Sequence, residues 1–272
     1  IVMEACGSAH HFARQFSARG FEVVLLPAQY VRAYVRRNKT DAADAAALLE
    51  AARASDIRPV RIKSIEQQAL QGLHRTRSLW MGTRTSRINA LRGLCREFGL
   101  HVPVGARTGL DSMARAIADE QSPIPTLIRS TLAQLLDEIR VLEARIAHLE
   151  RQLSTAAAES PACKLLMSIP GIGLLTSTGI AAATSGSVAH FVDARHFASW
   201  FGLTPKEHSS GGNRKLGRIS KQGDSYLRML LTHGARSVLR AAAVALSKGQ
   251  QLTGIRRWAV DLQQRSNHNK AT

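Results

Sequence analysis

Leu132, Leu135, Ile139, Leu142, Ile146, Leu149 and Leu153 alternate three and four residues apart. That spacing places all seven on one stripe of an α-helix, and it fits no strand or irregular segment. The segment must therefore be helical over three heptads, and its stripe must be covered. Two partners suit it. One is the stretch 63–98, where Leu73, Trp80, Ile88, Leu91, Cys95 and Phe98 recur at helical spacing. The other is the same stripe on a second subunit, which makes a homo-oligomer a fair expectation. Folding back within the chain costs less entropy, while so regular a seam also suits a dimer.

The 63–98 helix carries Arg75, Arg77, Arg84, Arg87, Arg92 and Arg96 against only Glu66 and Glu97. A helix with mixed charges would stabilise itself through pairs four residues apart. This one leaves its cations without local partners, so Arg84 and Arg87 are expected along a phosphate backbone, in contacts that weaken steeply with salt. The whole chain agrees: a net charge of +17 and a pI near 11.1 point to a polyanion, with nucleic acid ahead of an acidic membrane. Hydrophobic content of 44% excludes wholesale disorder. Cys6, Cys95 and Cys163 are far apart with no CxxC spacing, which argues against a disulfide framework or zinc site and suits a reducing compartment such as the cytoplasm. No apolar run reaches the length of a membrane span.

Upstream of the long helices the pattern changes. Residues 1–3 read as the end of a buried strand that delivers Glu4 to its tip. A helix is expected over 9–19, ended by Gly20, and the run Phe21–Leu26 reads as a second buried strand stopped by Pro27. A helix-like segment with Arg32, Arg36 and Arg37 follows, and then a helix opening at Asn38-Lys39-Thr40-Asp41 and running to about Ala54. Strand–helix–strand–helix order implies an α/β unit with a mostly parallel sheet. The chain opens inside an apolar stretch without a methionine, so further strands are expected upstream, with a sheet edge left open. Asp41 and Asp44 lie three apart at a helix start and share one face. Together with Glu4 they could hold Mg²⁺, or Thr40 or Asp41 could simply cap the helix, an acid in the first turn also suiting the helix dipole.

Residues 99–125 read as a connector, and from 163 a second globular unit begins. Ile169-Pro170-Gly171-Ile172-Gly173 followed by an Ala/Thr/Ser-rich stretch has the form of a helix–hairpin–helix. There Gly171 and Gly173 permit a tight turn and leave helix amides facing a phosphate; a plain turn between helices is the alternative. Phe191, Phe197, Trp200 and Phe201 are expected in the core. The window 204–228 then gathers Lys206, Arg214, Lys215, Arg218, Lys221 and Arg228 around Ser209, Ser210, Gly211 and Gly212, opposed only by Glu207 and Asp224. It reads as a flexible cationic loop that presents hydroxyls to a phosphate, or that only touches a nucleic-acid backbone. The expected organisation is an α/β unit over 1–62, a helical arm over 63–160 and a small all-helical unit over 161–272.

Four segments in this order, VMEACG at 2–7, NKTDAADAAALLE at 38–50, SIPGIGLLTSTGIAA at 168–182 and FGLTPKEHSSGG through ARSVL at 201–239, resemble insertion-sequence transposases of the IS-110 type, closest to their IS-1111 branch. The resemblance covers nearly the whole chain. It implies an N-terminal RuvC-like (RNase H-like) domain with a DEDD carboxylate set, a coiled-coil arm and a C-terminal domain with a nucleophilic serine. By motif, Glu4, Asp41 and Asp44 are three of the four carboxylates, the first aspartate falling upstream of Ile1. The serine before glycine is Ser210, with Ser209 as the adjacent alternative. The resemblance further implies Mg²⁺, DNA as substrate and a structured guide RNA encoded by the element. A RuvC-like nuclease acting through water, and an inactive remnant that only binds nucleic acid, are the rival expectations.

Overall fold

The computed structural model describes residues 1–35, 40–184, 186–189 and 191–272. Arg36, Arg37, Asn38 and Lys39 lie outside the described residues. The chain divides into two compact units, Ile1–Ala69 and Leu70–Thr272.

In the first unit, β1 (Val2–Glu4) and β2 (Val24–Leu26) pair in parallel, Val2 opposite Val24 and Glu4 opposite Leu26, with α1 (Ala9–Ser17) as the crossover. A parallel pair needs such a crossover, and the helix supplies it. An antiparallel bridge from Leu25 to Val60 adds a third, minimal strand. The two-residue period of a strand sorts the core onto both faces. Leu25 and Met3 pack with Ala9 and Ala13 of α1, whereas Val2, Val24 and Leu26 pack with Ala47 and Ala51 of α3 (Asp41–Arg53). The expected α/β layering is therefore present in miniature. The second strand is shorter than the apolar run suggests, because Gly20 takes a left-handed φ of +85° and Phe21 stays half exposed. Among the described residues β1 has no strand on its other side.

The second unit is built on an antiparallel helical arm. α4 (Ile65–Glu97) and α6 (Thr126–Glu159) run alongside each other, and α5 (Ala106–Ala118) folds over their far end. The seam is buried within the chain: Leu132, Leu136, Ile139, Leu142, Ile146, Leu149 and Leu153 are all inside. Its second position is Leu136, with Leu135 only partly buried. Ile88, Leu91 and Cys95 of α4 and Met113 and Ile117 of α5 complete that core. Burying each such side chain stabilises by roughly 1.5–3 kcal/mol, far more than helix propensity supplies, so packing holds these helices. Arg129 fixes the α5–α6 corner by donating from Nη1 to the carbonyls of Ile117 (2.7 Å) and Asp119 (2.7 Å) and from Nη2 to that of Ile124 (2.8 Å).

Beyond α6 come α7 (Pro161–Met167), α8 (Leu174–Thr184) and α9 (Ala194–Trp200). A hairpin of β3 (Pro205–Glu207) and β4 (Leu216–Ile219) follows, then α10 (Ser225–Ser247), α11 (Gly254–Arg265) and α12 (His268–Ala271). The aromatics are core, as expected: Phe201 is buried with Ile180, Leu227 and Leu230, and Phe197 and Trp200 pack against them. The unit is not all-helical, and the window read as a flexible loop is an ordered antiparallel hairpin. Its glycines exclude helix yet suit a tight strand reversal. Among the described residues no helix is long and apolar enough to cross a membrane.

Candidate active site

Glu4 and the two aspartates lie in the first unit, the two serines in the second. Glu4 ends β1 and is exposed, and α3 packs on that strand. The helix start is capped by Thr40: its Oγ1 accepts from the Ala43 amide at 3.2 Å, in the extended conformation of an N-cap. Asp41 and Asp44 are thus spared the capping role and remain in the first turn, where the helix dipole favours negative charge. Among the described residues no group of three or more His, Cys, Asp or Glu side chains is gathered to hold a metal ion, so Glu4 does not complete a three-ligand cluster with the aspartates. The donor set still fits Mg²⁺. It needs only one or two carboxylates and takes its remaining oxygens from water and phosphate.

The serine hairpin is seated by two glycines. A Cβ on Gly202 would lie 1.9 Å from the Gln222 carbonyl oxygen, and one on Gly223 would lie 2.1 Å from that of Trp200. Both have left-handed φ, +69° and +89°. Any side chain at either position would wedge the hairpin off α9. Ser220 N–H donates to Thr204 O at 2.8 Å and Lys221 N–H to Gly202 O at 3.0 Å, closing the neck. Arg228 Nη1 donates to Phe201 O at 2.8 Å and to Gln222 O at 3.3 Å. The guanidinium expected to meet nucleic acid is thereby spent on the hairpin's own backbone. Asp224, the acid closing the window, caps α10 through the Tyr226 and Leu227 amides.

At the tip Ser210 and Asn213 exchange both backbone hydrogen bonds, at 3.3 and 3.0 Å, around Gly211 and Gly212 with φ of +54° and +78°. Two successive positive φ angles define the turn whose twist matches a hairpin, and glycine meets that need without strain. Ser209 Oγ donates to Glu207 Oε1 at 2.6 Å and accepts from the Lys215 amide at 3.1 Å, while Arg214 Nε lies 3.6 Å from the same Glu207 oxygen. Ser210 is exposed, and its hydroxyl has no hydrogen-bond partner among the described contacts. Lys206, Arg214, Lys215, Arg218 and Lys221 are all exposed on this hairpin.

The arm corrects a sequence expectation. Arg77, Arg84 and Arg87 are paired, because the acids come from the facing helix. Arg77 meets Glu150 at 2.7 Å, Arg84 donates Nε–H to Glu143 at 2.9 Å, and Arg87 meets Glu138. The turn between α7 and α8 packs against α10. Gly171, at φ +91°, abuts Gly234 of α10, where an added Cβ would lie 2.9 Å from the Gly234 carbonyl oxygen. Gly173 faces open space.

His74, a residue with no signal in the sequence, is 4% exposed and joins α4 to α8 and α10. Nδ1 lies 2.9 Å from Tyr226 Oη, and Nε2 lies 3.0 Å from Thr178 Oγ1. Thr178 already donates its hydroxyl proton to Leu174 O at 2.7 Å, so it accepts from Nε2–H, and Tyr226 donates to Nδ1. This arrangement is that of the neutral ring, which the low pKa favours. Burial, and then Arg77, push its pKa down to about 4, partly opposed by Asp224. It borders a cleft of about 570 Å³ lined by Arg75, Ser78, Gly179 and Asp224 among others.

The α/β unit with Glu4, Asp41 and Asp44 and the serine-tipped cationic hairpin each fall within a segment that matches a transposase family. Residues 163–250 match the Transposase IS116/IS110/IS902 family, and residues 1–99 match the DEDD-type IS110 transposase family. The chain belongs to the IS110/IS116 family of transposases. It is 43% identical over 244 residues to a probable family 20 transposase of Pseudomonas aeruginosa, covering 89% of this chain and 72% of that protein. Against the transposase for insertion sequence element IS1111A of Coxiella burnetii it is 37% identical over 240 residues, covering 88% and 66%. Against the transposase for IS1328 of Yersinia enterocolitica it is 33% identical over 237 residues, covering 87% and 70%. The chain thus spans between 66% and 72% of the length of these three relatives.

Proposed function

We propose that the protein cleaves DNA and transfers strands at the ends of an insertion sequence, with Ser210 as the nucleophile. The observation that carries this reading is the unengaged, exposed Ser210 hydroxyl at the tip of a rigidly seated hairpin studded with lysine and arginine. Ser210 Oγ attacks a backbone phosphorus. The Oγ–P bond forms as the P–O bond to the departing sugar oxygen breaks; the serine proton is lost and the leaving oxygen gains one. The phosphodiester is conserved on the protein, so an incoming sugar hydroxyl can reverse the step and join a new strand without hydrolysis. Lys206, Lys215, Arg218 and Lys221 balance the charge on the phosphoryl oxygens. Asp41 and Asp44 would hold Mg²⁺, which when bound supplies Lewis-acid chemistry toward phosphate oxygens. The unit that carries them takes the RuvC-like role. A structured RNA encoded by the element guides the choice of target, as the family resemblance implies, and the charge of +17 supports nucleic acid as the partner class.

The test is denaturant-resistant attachment of labelled element-end DNA to the protein, with Mg²⁺ and the element's RNA present. The expected result is an adduct that maps to Ser210 and is lost at least about a thousandfold in Ser210→Ala. Strand cleavage that survives in Ser210→Ala and Ser209→Ala without any adduct would replace this reading with a water-activating nuclease. Metal-independent binding with no cleavage would replace it with a binding protein.

A further inference from the structure

The two adjacent serines have opposite chemical situations, and strand geometry says why. Side chains along a strand alternate between faces, and directly paired residues share one. Glu207 pairs with Leu216, so Glu207, Ser209, Arg214 and Leu216 lie on one face. The contacts agree, because Ser209 Oγ and Arg214 Nε both reach Glu207 Oε1. Lys206, His208, Ser210, Asn213 and Lys215 fall on the other. A Cβ on Gly217 would meet the His208 ring at 3.3 Å, which fixes His208 on that second face independently.

Ser209 is engaged on both strands. Its single proton goes to Glu207, and its oxygen takes the Lys215 amide across the hairpin, next to the turn. A hydroxyl so held ties both strands together just below the Gly-Gly reversal. Glu207 in turn is held by Arg214. Ser210 is left without such ties, flanked on its own face by Lys206 and Lys215.

We propose that Ser209, Glu207 and Arg214 form a latch on one face of the hairpin that holds Ser210, with Lys206 and Lys215, on the opposite face toward a phosphate. Ser209 is thus a positioning residue and not the nucleophile. The assignment rests on the reading of Ser210 given above. It adds which neighbour orients the serine and which cations share its face: Lys206 and Lys215 stand with it, Arg214 does not.

The experiment compares the wild-type protein with Ser209→Ala, Ser209→Thr, Glu207→Ala and Glu207→Gln in two measurements. One is the rate and position of adduct formation. The other is amide exchange at Lys215 in the free protein. Loss of one orienting hydrogen bond is worth about tenfold, so Ser209→Ala and Glu207→Ala slow the adduct about tenfold while it stays on Ser210. Ser209→Thr keeps a hydroxyl and Glu207→Gln keeps an acceptor oxygen, and both restore most of the rate. The Lys215 amide exchanges about tenfold faster in Ser209→Ala, and Ser209→Thr reverses this. An adduct on residue 209, or its complete loss in Ser209→Ala, overturns the assignment, as does unchanged Lys215 exchange. Absence of an adduct in the wild type sinks the nucleophile reading alone, since the exchange comparison still decides the latch.

Discussion

The arm and the serine hairpin are both rich in cations, and they use them in opposite ways. On the arm the Arg77 and Arg84 side chains are only 16% and 18% exposed and close onto glutamates of the facing helix. On the hairpin Arg214 is 65% exposed even though it is paired, and Lys206, Lys215, Arg218 and Lys221 stand in the open. Cation density along a helix is thus no measure of a nucleic-acid surface. The acids that neutralise the arm lie 51 to 73 residues away in sequence, whereas the hairpin brings two strands together with a single glutamate between them.

That contrast can be broken at the hairpin's seat. Gly202→Ala would place a methyl 1.9 Å from a carbonyl oxygen at a left-handed φ. It should destabilise the C-terminal unit by about 3 kcal/mol, whereas Gly211→Ala, in open space, should cost about 1 kcal/mol. Thermal unfolding of the two variants separates them; equal losses would mean the hairpin is not seated as described.

The joint at the arm's near end gives the next effect. His74 has a folded pKa of about 4, below its ordinary value of 6.5. Its neutral form stabilises the fold fully above pH 6.5, and that contribution is lost as pH falls from 6.5 toward 4, because the unfolded ring binds a proton that the folded one refuses. The loss should reach about 2 kcal/mol by pH 5. Urea unfolding at pH 7.5 and pH 5 should show it, and His74→Gln should remove that part of the pH dependence. A wild-type profile matching the variant's would remove His74 as the joint.

The smallest effect sharpens the contrast most directly. Lys206→Met or Lys215→Met should lower the salt dependence of DNA binding by about one counterion each. Arg84→Met should leave that slope unchanged and should instead weaken the arm by about 1 kcal/mol through its half-buried glutamate. A slope that falls for Arg84→Met and holds for Lys206→Met would reverse the roles assigned to the two regions.

Local pattern carried much of the fold. The seam, the basic helix, the aromatic core and the βαβ order are all legible because each is a periodicity or a run within one segment. The ion pairs, the His74 joint and the seating of the hairpin were not, because each joins residues far apart in sequence. The hairpin itself had a visible signal. Two glycines between short stretches capable of pairing ask for a strand reversal, but the density of charge made the window read as a loop. At the carboxylates, Thr40 could be named as a cap from the sequence, but not preferred over Asp41. At the serines, the motif put Ser210 ahead of Ser209, but only the pairing of the two strands places these neighbours on opposite faces.

The meeting of Gly171 and Gly234 sets a limit on how this unit can vary. A Cβ on Gly234 would lie 2.1 Å from the Gly171 carbonyl oxygen, and one on Gly171 would lie 2.9 Å from that of Gly234. Most tight contacts can be relieved by making the opposing residue smaller. Here both partners already lack a side chain, so the usual compensating exchange has nothing left to give up. A substitution on either side can be absorbed only by parting the α7–α8 turn from α10. In genetic terms the two positions are locked together with no second-site suppressor between them.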